Sequence, residues 1–563
     1  MRTAALALIC SVSVFMLMAA FHVPADAQRL PPGVPIPNGG KLPGGGKLPG
    51  GGKIPGGDPA EGSEGDWYNL GPIGGKATMD SSPGGSAKVG LDVQKVFEDA
   101  PGAEGGLLVG DVIIGAPKNF KRDAYHELGE AIEAAEAQRK KKSAVVELTV
   151  LRDGKQKSLD INVPFYGKDA KDFPGGKMRD QVVDAALKYL AKQQQGDGGW
   201  ECKLSGENGR VVMTSLCGMA MLAAGNTASK GEYKANLKRA AEFVMANVGQ
   251  EGAFAGMGGG SGNWNQTNWG LGYGGMFLAE LQHASPVKGV DDKLKWIADT
   301  IVANMEASGG FAHGPGGPNA LGYLELEIVS NYCVSALGGA MANGIDVDSQ
   351  KLQLMLDYIQ KCGGGKGGVG YSTRQGQVGW GDPGRTGGAI MAYGATGHDG
   401  DPYYKSMVGF MEGNLRDIID GHVSPTMHHL ASASACWREG KKAWEKYWDA
   451  QRHECTMLRN PDGTFTARPT KESQEMGRNN DLDMGTVWNT AHWTIILCLE
   501  KDNLPVWFGR ADKKKPNRTD KEDKKEDDPV TGKNETGKDK ADKKEDGKKK
   551  DKDKPDIDDI LDD

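Results

Sequence analysis

Gln195-Gly196-Asp197-Gly198-Gly199-Trp200 separates two stretches of helical spacing, Val182-Val183-Asp184-Ala185-Ala186-Leu187-Lys188-Tyr189-Leu190 and Val211-Val212-Met213-Thr214-Ser215-Leu216-Cys217-Gly218-Met219-Ala220-Met221-Leu222. The first is amphipathic, the second almost without charge. Gly and Asp end one helix, and the aromatic anchors the turn before the next begins. The same order recurs about six times between Gln181 and Glu500. Stretches 236–246, 293–305, 351–361, 403–415 and 442–454 read as amphipathic helices. Stretches 269–281, 326–341, 385–393, 427–437 and 486–499 read as their apolar partners. Helices of alternating polarity bury the apolar kind inside a ring of the amphipathic kind, and six hairpins suffice to close it.

Outward from the repeats the composition changes. Arg2, an apolar run over 4–21 and Ala25-Asp26-Ala27 have the order of a secretory signal, 1–27, with an uncleaved anchor as the alternative. Near-repeats of Gly39-Gly40-Lys41-Leu42-Pro43-Gly44 make 28–65 a Gly/Pro-rich tether. The 511–563 tail alternates Lys with Asp and Glu, and reads as a solvated polyampholyte with too little apolar surface to fold. The expected protein is exported, to the periplasm or beyond, with no membrane span once the signal is removed. A formal net charge of −7, evenly mixed, argues against a nucleic-acid partner. Seven cysteines remain after Cys10; they are scattered and odd in number, which suits buried small side chains better than a disulfide framework.

Between 66 and 167 the period shortens to that of strands. Residues 87–93, 145–151 and 158–163 alternate, 123–139 is an amphipathic helix, and Arg152-Asp153-Gly154-Lys155 is a hairpin turn. Ala100-Pro101-Gly102-Ala103, Gly106-Leu107 and Gly110-Asp111-Val112-Ile113 resemble the PDZ domain of bacterial secreted proteases. In the last motif Gly makes a turn, Asp caps it and the aliphatic residues enter the core. The resemblance implies capture of a peptide or protein C-terminus as an added strand. Leu70, Gly71, Ile73 and Gly74 are then the carboxylate loop, and His126 heads the groove helix. Pro72 departs from the pattern because it offers no N–H.

The repeat region, 178–508, looks like the α/α toroid shared by squalene cyclases and protein prenyltransferase catalytic subunits; 193–200 is similar to the cyclases' Gln-Trp motif. The expected class is therefore a small β-rich α+β PDZ domain followed by an all-α (α/α)6 toroid. Together they resemble an uncharacterised family of exported bacterial proteins. Such a fold specifies chemistry poorly. The cyclase Asp-x-Asp-Asp tetrad is missing, Asp481-Leu482-Asp483-Met484 being nearest. Asn331-Tyr332-Cys333 has the prenyltransferase spacing, with Asn where a zinc-binding Asp belongs and His492 as the distant imidazole. The expectation is no metal site and an unspecified cofactor.

Polar residues at inner-helix N-termini point to one mouth of such a ring. They are Thr214, Trp264, Asn265, Asn268, Trp269, Glu325, Glu327, Asn331, Asp382, Arg385, His428, His429, Asn489, His492 and Trp493. His492, His428, Glu325 and Arg385 are the candidate acid–base groups, while Trp264, Trp269, Asn331 and Trp493 are the candidate ligand contacts for a saccharide or lipid. The leading reading is an exported peptide- and ligand-binding protein. The alternative is a toroid enzyme, a polysaccharide lyase or hydrolase or a prenyltransferase- or cyclase-like one, with the PDZ as recruiting module.

Overall fold

The computed structural model describes residues 67–509, except 84–86, 138–143, 167–175, 203–205, 251–265, 316–324, 365–366, 375 and 477–478. The signal, tether and tail readings lie outside these residues, as do Trp264 and Asn265. Every described residue belongs to one compact unit.

Six antiparallel strands open that unit: β1 (Tyr68–Asn69), β2 (Gly75–Asp80), β3 (Gly90–Val96), β4 (Val112–Gly115), β5 (Ala144–Arg152) and β6 (Lys155–Val163). They are hydrogen-bonded in chain order, and β5 and β6 pair along their whole length across the Asp153-Gly154 turn. Helix α1 (Pro101–Glu104) is a single turn. Helix α2 (Ala124–Glu136) begins where Asp123 accepts a bond from the His126 N–H at 3.0 Å, and it lays Leu128 and Ile132 against the sheet. The Gly110-Asp111 motif works as its chemistry requires. Gly110 takes φ 88°, and Asp111 accepts from the Leu108 N–H at 2.9 Å and from Arg152 at 2.6 Å. Burial opposes the Asp111 charge, yet the Arg152 and Leu108 bonds hold its carboxyl below the usual range.

Among the described residues, twelve longer helices then alternate between two layers. The outer layer is α3 (Gly176–Gln193), α5 (Lys234–Asn247), α7 (Val290–Asn304), α9 (Ser349–Gly363), α11 (Pro402–Gly413) and α13 (Lys441–Leu458). The inner layer is α4 (Gly206–Ala223), α6 (Thr267–Ala284), α8 (Glu327–Ala342), α10 (Pro383–Ala395), α12 (Pro425–Glu439) and α15 (Asn480–Cys498). A short α14 (Lys471–Met476) precedes the last inner helix. Each inner helix packs on the next, α4 on α6, α6 on α8, and so on, until α15 returns to α4 and closes the ring. Each also packs on an outer partner. This is an α/α toroid of six hairpins.

The turns show why the glycines recur. Gly198, Gly309, Gly367 and Gly463 all have φ between 81° and 92°, and at each a Cβ would collide with the outer helix of the following hairpin. Gly309, for example, abuts the Leu354 carbonyl of α9, and Gly463 abuts Ala185 of α3, across the point of closure. The next residues turn inward. The backbone N–H groups of Trp200, Phe311, Val369 and Phe465 donate to the hydroxyls of Thr214, Ser330, Thr386 and Thr490, at 2.9–3.2 Å. A buried hydroxyl in an apolar helix thus satisfies the turn that enters it.

At the opposite end of the ring, residues 503–509 cross the C-termini of the inner helices. Asn503 donates to the Ala223 carbonyl, Glu280 accepts from the Trp507 N–H, and Arg438 donates to the Phe508 carbonyl. Leu504, Val506 and Phe508 are buried there. The inner-helix N-termini form the other end, the mouth. None of the seven cysteines described forms a disulfide, and all are buried. Among the described residues, no helix is long and apolar enough to cross a membrane.

Candidate functional site at the mouth of the ring

Helix α10 opens on Asp382-Pro383-Gly384-Arg385. Asp382 is the N-cap and accepts from the Arg385 N–H at 2.8 Å, which leaves its second oxygen 3.9 Å from the guanidinium. Helix α12 comes so close that a Cβ on Gly384 would strike the His428 ring. His428 Nδ1 therefore lies 3.0 Å from Asp382 Oδ1. On the other side, Asn331 of α8 donates to the Arg385 carbonyl at 3.1 Å and to Glu327 Oε1 at 2.6 Å.

The two carboxyls in this cluster are driven apart. Burial opposes the charge on Asp382, but His428, Arg385 and the Arg385 N–H outweigh it and hold the group well below the carboxylate range. For Glu327, fully buried, burial wins over Arg385 and Asn331, and Asp382 pushes the same way; its carboxyl rises well above the usual value. The two shifts run in opposite directions, the pattern that separates acid from base roles. Among the described residues no hydrogen bond reaches Glu327 Oε2, Asn331 Oδ1, Arg385 Nε or His428 Nδ1, although the last lies 3.0 Å from Asp382 Oδ1. Buried polar atoms without partners are costly, so four in one cluster mark a place for polar ligand atoms.

Aromatic and polar residues surround the cluster. Arg385 lies 5.7 Å from the Tyr371 ring centre, Tyr371 meets His422 edge-on at 5.3 Å, and His422 pairs with Glu472 at 2.5 Å. Trp380, two residues before Asp382, is 74% exposed. Asp481, buried at the start of α15, accepts from Thr426 N at 3.0 Å and Trp488 Nε1 at 2.9 Å as well as from Ser424. Beside it, Val423, Pro425, Thr470, Glu472, Ser473, Asn479 and Asn480 line a cleft of about 10 Å3, room for about one water.

The other sequence candidates lie elsewhere. Glu325 is half-buried, accepts from Ser308 at 3.3 Å, and is two residues away from the carboxyl that faces Arg385. His492 binds its own helix, Nδ1 on the Trp488 carbonyl at 2.9 Å, and burial lowers its pKa to about 4. His429, the neighbour of His428, points instead to Tyr447 of the outer layer, as the 100° step between adjacent helical residues requires. Trp493 stacks on Phe465 and packs against His429 at 5.0 Å, between the two layers. Trp269 donates to His313 Nδ1 at 2.8 Å and leans on Tyr332, a second aromatic group at the mouth. Thr214, Asn268 and Asn489 hold turns or caps: Asn268 donates to the Ala312 carbonyl and Asn489 to those of Asp481 and Gly485. Cys333 faces the Asn268 carbonyl at 3.7 Å, and burial raises its thiol pKa far above the ordinary value. Among the described residues no three His, Cys, Asp or Glu groups are placed to hold a metal.

At the front module, Leu70, Gly71 and Ile73 are buried, and Gly71–Ile73 form a 3-10 turn closed by Gly74 in the left-handed region. His126 pairs with Glu130 and packs, tilted by 46°, against His453 of α13 with ring centres 3.9 Å apart. No local pattern signals this second contact, nor the neighbouring pairs of Glu136 with Arg459 at 2.6 Å and Glu133 with Arg452 at 2.8 Å.

A stretch of 92 residues is 37% identical to the probable periplasmic serine endoprotease DegP-like of Pseudomonas savastanoi pv. phaseolicola; it is 15% of this chain and 17% of that protein. The chain thus spans less than a fifth of the curated relative it matches. Among solved structures, an α-1,6-mannanase of Salegentibacter sp. HEL1_6 is similar over 56% of this chain and 98% of its own, at 9% identity and a TM-score of 0.40. A type II terpene cyclase from Scytonema is similar over 58% and 99%, at 12% identity and a TM-score of 0.37. Residues 179–501, from the first outer helix to the end of the last inner one, match the family described as a domain of unknown function (DUF6288), and to that family the chain belongs.

Proposed function

We propose that this is an exported saccharide-binding protein whose ring takes its ligand at Asp382, Arg385, His428, Glu327 and Asn331. The observation that carries this reading is the cluster's unmet hydrogen-bonding capacity. Arg385 Nε requires an acceptor and Asn331 Oδ1 a donor, and the Glu327 carboxyl, its pKa raised by burial, accepts when ionised and also donates when protonated. Sugar hydroxyls donate and accept, so one saccharide answers all three. A lipid tail answers none. Trp380, exposed beside the cluster, offers a ring face of the kind on which the apolar side of a sugar rests. Glu327 as proton donor and His428, oriented by Asp382, as proton acceptor equip the same site for acid–base chemistry on the bound sugar. The front module, in this reading, is a PDZ domain; its motifs and the size of the DegP-like match support that assignment.

The test is a saturation-transfer NMR screen of neutral oligosaccharides of glucose, mannose and N-acetylglucosamine. Wild type is expected to bind at least one series, and Arg385→Ala and Trp380→Ala to weaken it at least tenfold. Equal binding by wild type and both variants would remove the site from the reading.

A further inference from the structure

We propose that the front module already holds its ligand, and that the ligand is residues 452–461 of this same chain, at the end of α13. The inference rests on reading the module as a PDZ domain, which captures a peptide with three devices: a free strand edge, a loop of N–H groups and an apolar pocket between strand and helix. In this chain all three are engaged from within.

The edge comes first. Lys76 and Ala77, at the start of β2, pair on one side with β3 and on the other with Asn69 and Tyr68 of β1. An incoming strand finds that stretch taken. The loop is turned on itself: Leu70 N–H donates to the Gly75 carbonyl at 2.9 Å, Ile73 N–H to Leu70 at 3.3 Å and Gly74 N–H to Gly71 at 3.0 Å. Pro72 has no N–H to give.

The pocket is filled by the ring. Met457, on the last turn of α13, is fully buried in the module's own core with Leu70, Ile73, Leu128 and Ile132. Its carbonyl accepts from Asn69 Nδ2 at 2.8 Å. The approach is so close that a Cβ on Gly71 would stand 2.9 Å from the Thr456 carbonyl oxygen, and one on Gly74 2.9 Å from Pro461. A side chain on Gly129, on the groove helix α2, would meet Met457 at 3.1 Å. An apolar side chain entering between loop and helix beside a bound backbone carbonyl is how a peptide would be held.

Charge fixes the register. Helix α2 presents Glu133 and Glu136, and α13 and the residue after it present Arg452 and Arg459. Glu133 also accepts from Thr456 at 3.2 Å. Arg459 and Glu136 are both almost fully buried, so removing either side chain would leave the other an unpaired charge in the contact. The contact also reaches toward the mouth. Arg468 lies over the Tyr68 and Tyr125 rings and pairs with Glu454, and its carbonyl accepts from Asn479, the cap of α15, at 2.7 Å.

Hydrogen exchange on the full chain tests the proposal. In wild type, 70–80 and 124–136 are expected to be protected, and Met457→Asp to speed exchange in both at least tenfold while α4 and α6 stay unchanged. Unchanged exchange in that variant would overturn the dock. Arg452→Glu, at the rim, is a milder second variant, and adding Glu133→Arg should restore the protection it loses; failure to restore it counts against the assigned register. The same proteins are then titrated with a fluorescent library of peptides ending in free apolar residues. A peptide that binds wild type with no change in exchange overturns the dock. A variant opened by exchange that still binds no peptide overturns the PDZ reading and leaves the dock standing.

Discussion

His428 holds Nδ1 3.0 Å from Oδ1 of Asp382, across the seam between two inner helices, because Gly384 leaves no side chain between them. The aspartate that caps one helix thereby orients an imidazole on the next. The same aspartate faces Arg385, so a carboxylate, a guanidinium and an imidazole meet where the inner helices begin, at the positively polarised ends of their backbones.

Buried histidines set the acid limit of the fold. Burial lowers His313 and His492 to about 4, and His429 and His453 to about 3, from the usual 6.5. At these four sites the unfolded chain therefore binds more protons than the folded one below pH 6.5. The stability they contribute is present above 6.5 and is lost as pH falls toward 4. Each histidine adds a slope of up to about 1.4 kcal/mol per pH unit. Urea unfolding between pH 7 and 4.5 should show this fall, and His492→Gln should make it shallower by one proton. A parallel fall in both proteins would remove His492 from the effect.

Glu280 acts in the opposite sense. Burial raises its carboxyl to about 8 against the bonds from Trp507 and Val506, so at neutral pH the folded chain keeps a proton that the unfolded chain has lost. Its contribution is complete below pH 4.5 and declines as pH rises to about 8. Glu280→Gln, which imitates the protonated acid, should match wild type near pH 5 and exceed it at pH 8. The difference in denaturation midpoint across that range is the measurement; a constant difference would show that Glu280 is ionised in the fold.

Gly309 illustrates the turns. With φ at 92° and the Leu354 carbonyl against its open face, Gly309→Ala should cost about 1–3 kcal/mol from backbone strain alone, and more from the displaced α9. Gly344, whose φ is also positive but which has open space around it, should cost less as alanine. Thermal melts of the two variants compare them directly.

The repeat was legible because each Gly-aromatic turn is local, and local rules govern it: Gly198-Gly199-Trp200 has its meaning within six residues. Asp111 was legible for the same reason. The choice between Glu325 and Glu327 was not, since the two flank one leucine and only the position of the helix start decides which faces Arg385. Asp382 was visible as a mouth residue, but its partner depends on how near α12 comes to α10, a tertiary distance. Trp493 and His429 look like site residues because aromatic and imidazole groups in an apolar helix carry no mark of which layer they face. Met457 was the hardest to foresee. At the end of an amphipathic helix it reads as core of the ring, and nothing in its neighbours says that the core it enters belongs to the sheet.

The sharpest measurement is saccharide affinity at pH 7 in two isosteric amides, Asp382→Asn and Glu327→Gln, against wild type. Asp382→Asn removes the charge that orients His428 and balances Arg385, and should weaken binding at least tenfold. Glu327→Gln keeps a neutral group of the same shape and should bind within about threefold of wild type, a difference below about 0.7 kcal/mol. Glu327→Gln weakening binding as much as Asp382→Asn would contradict the division of protons between the two carboxyls, and with it the proposed site.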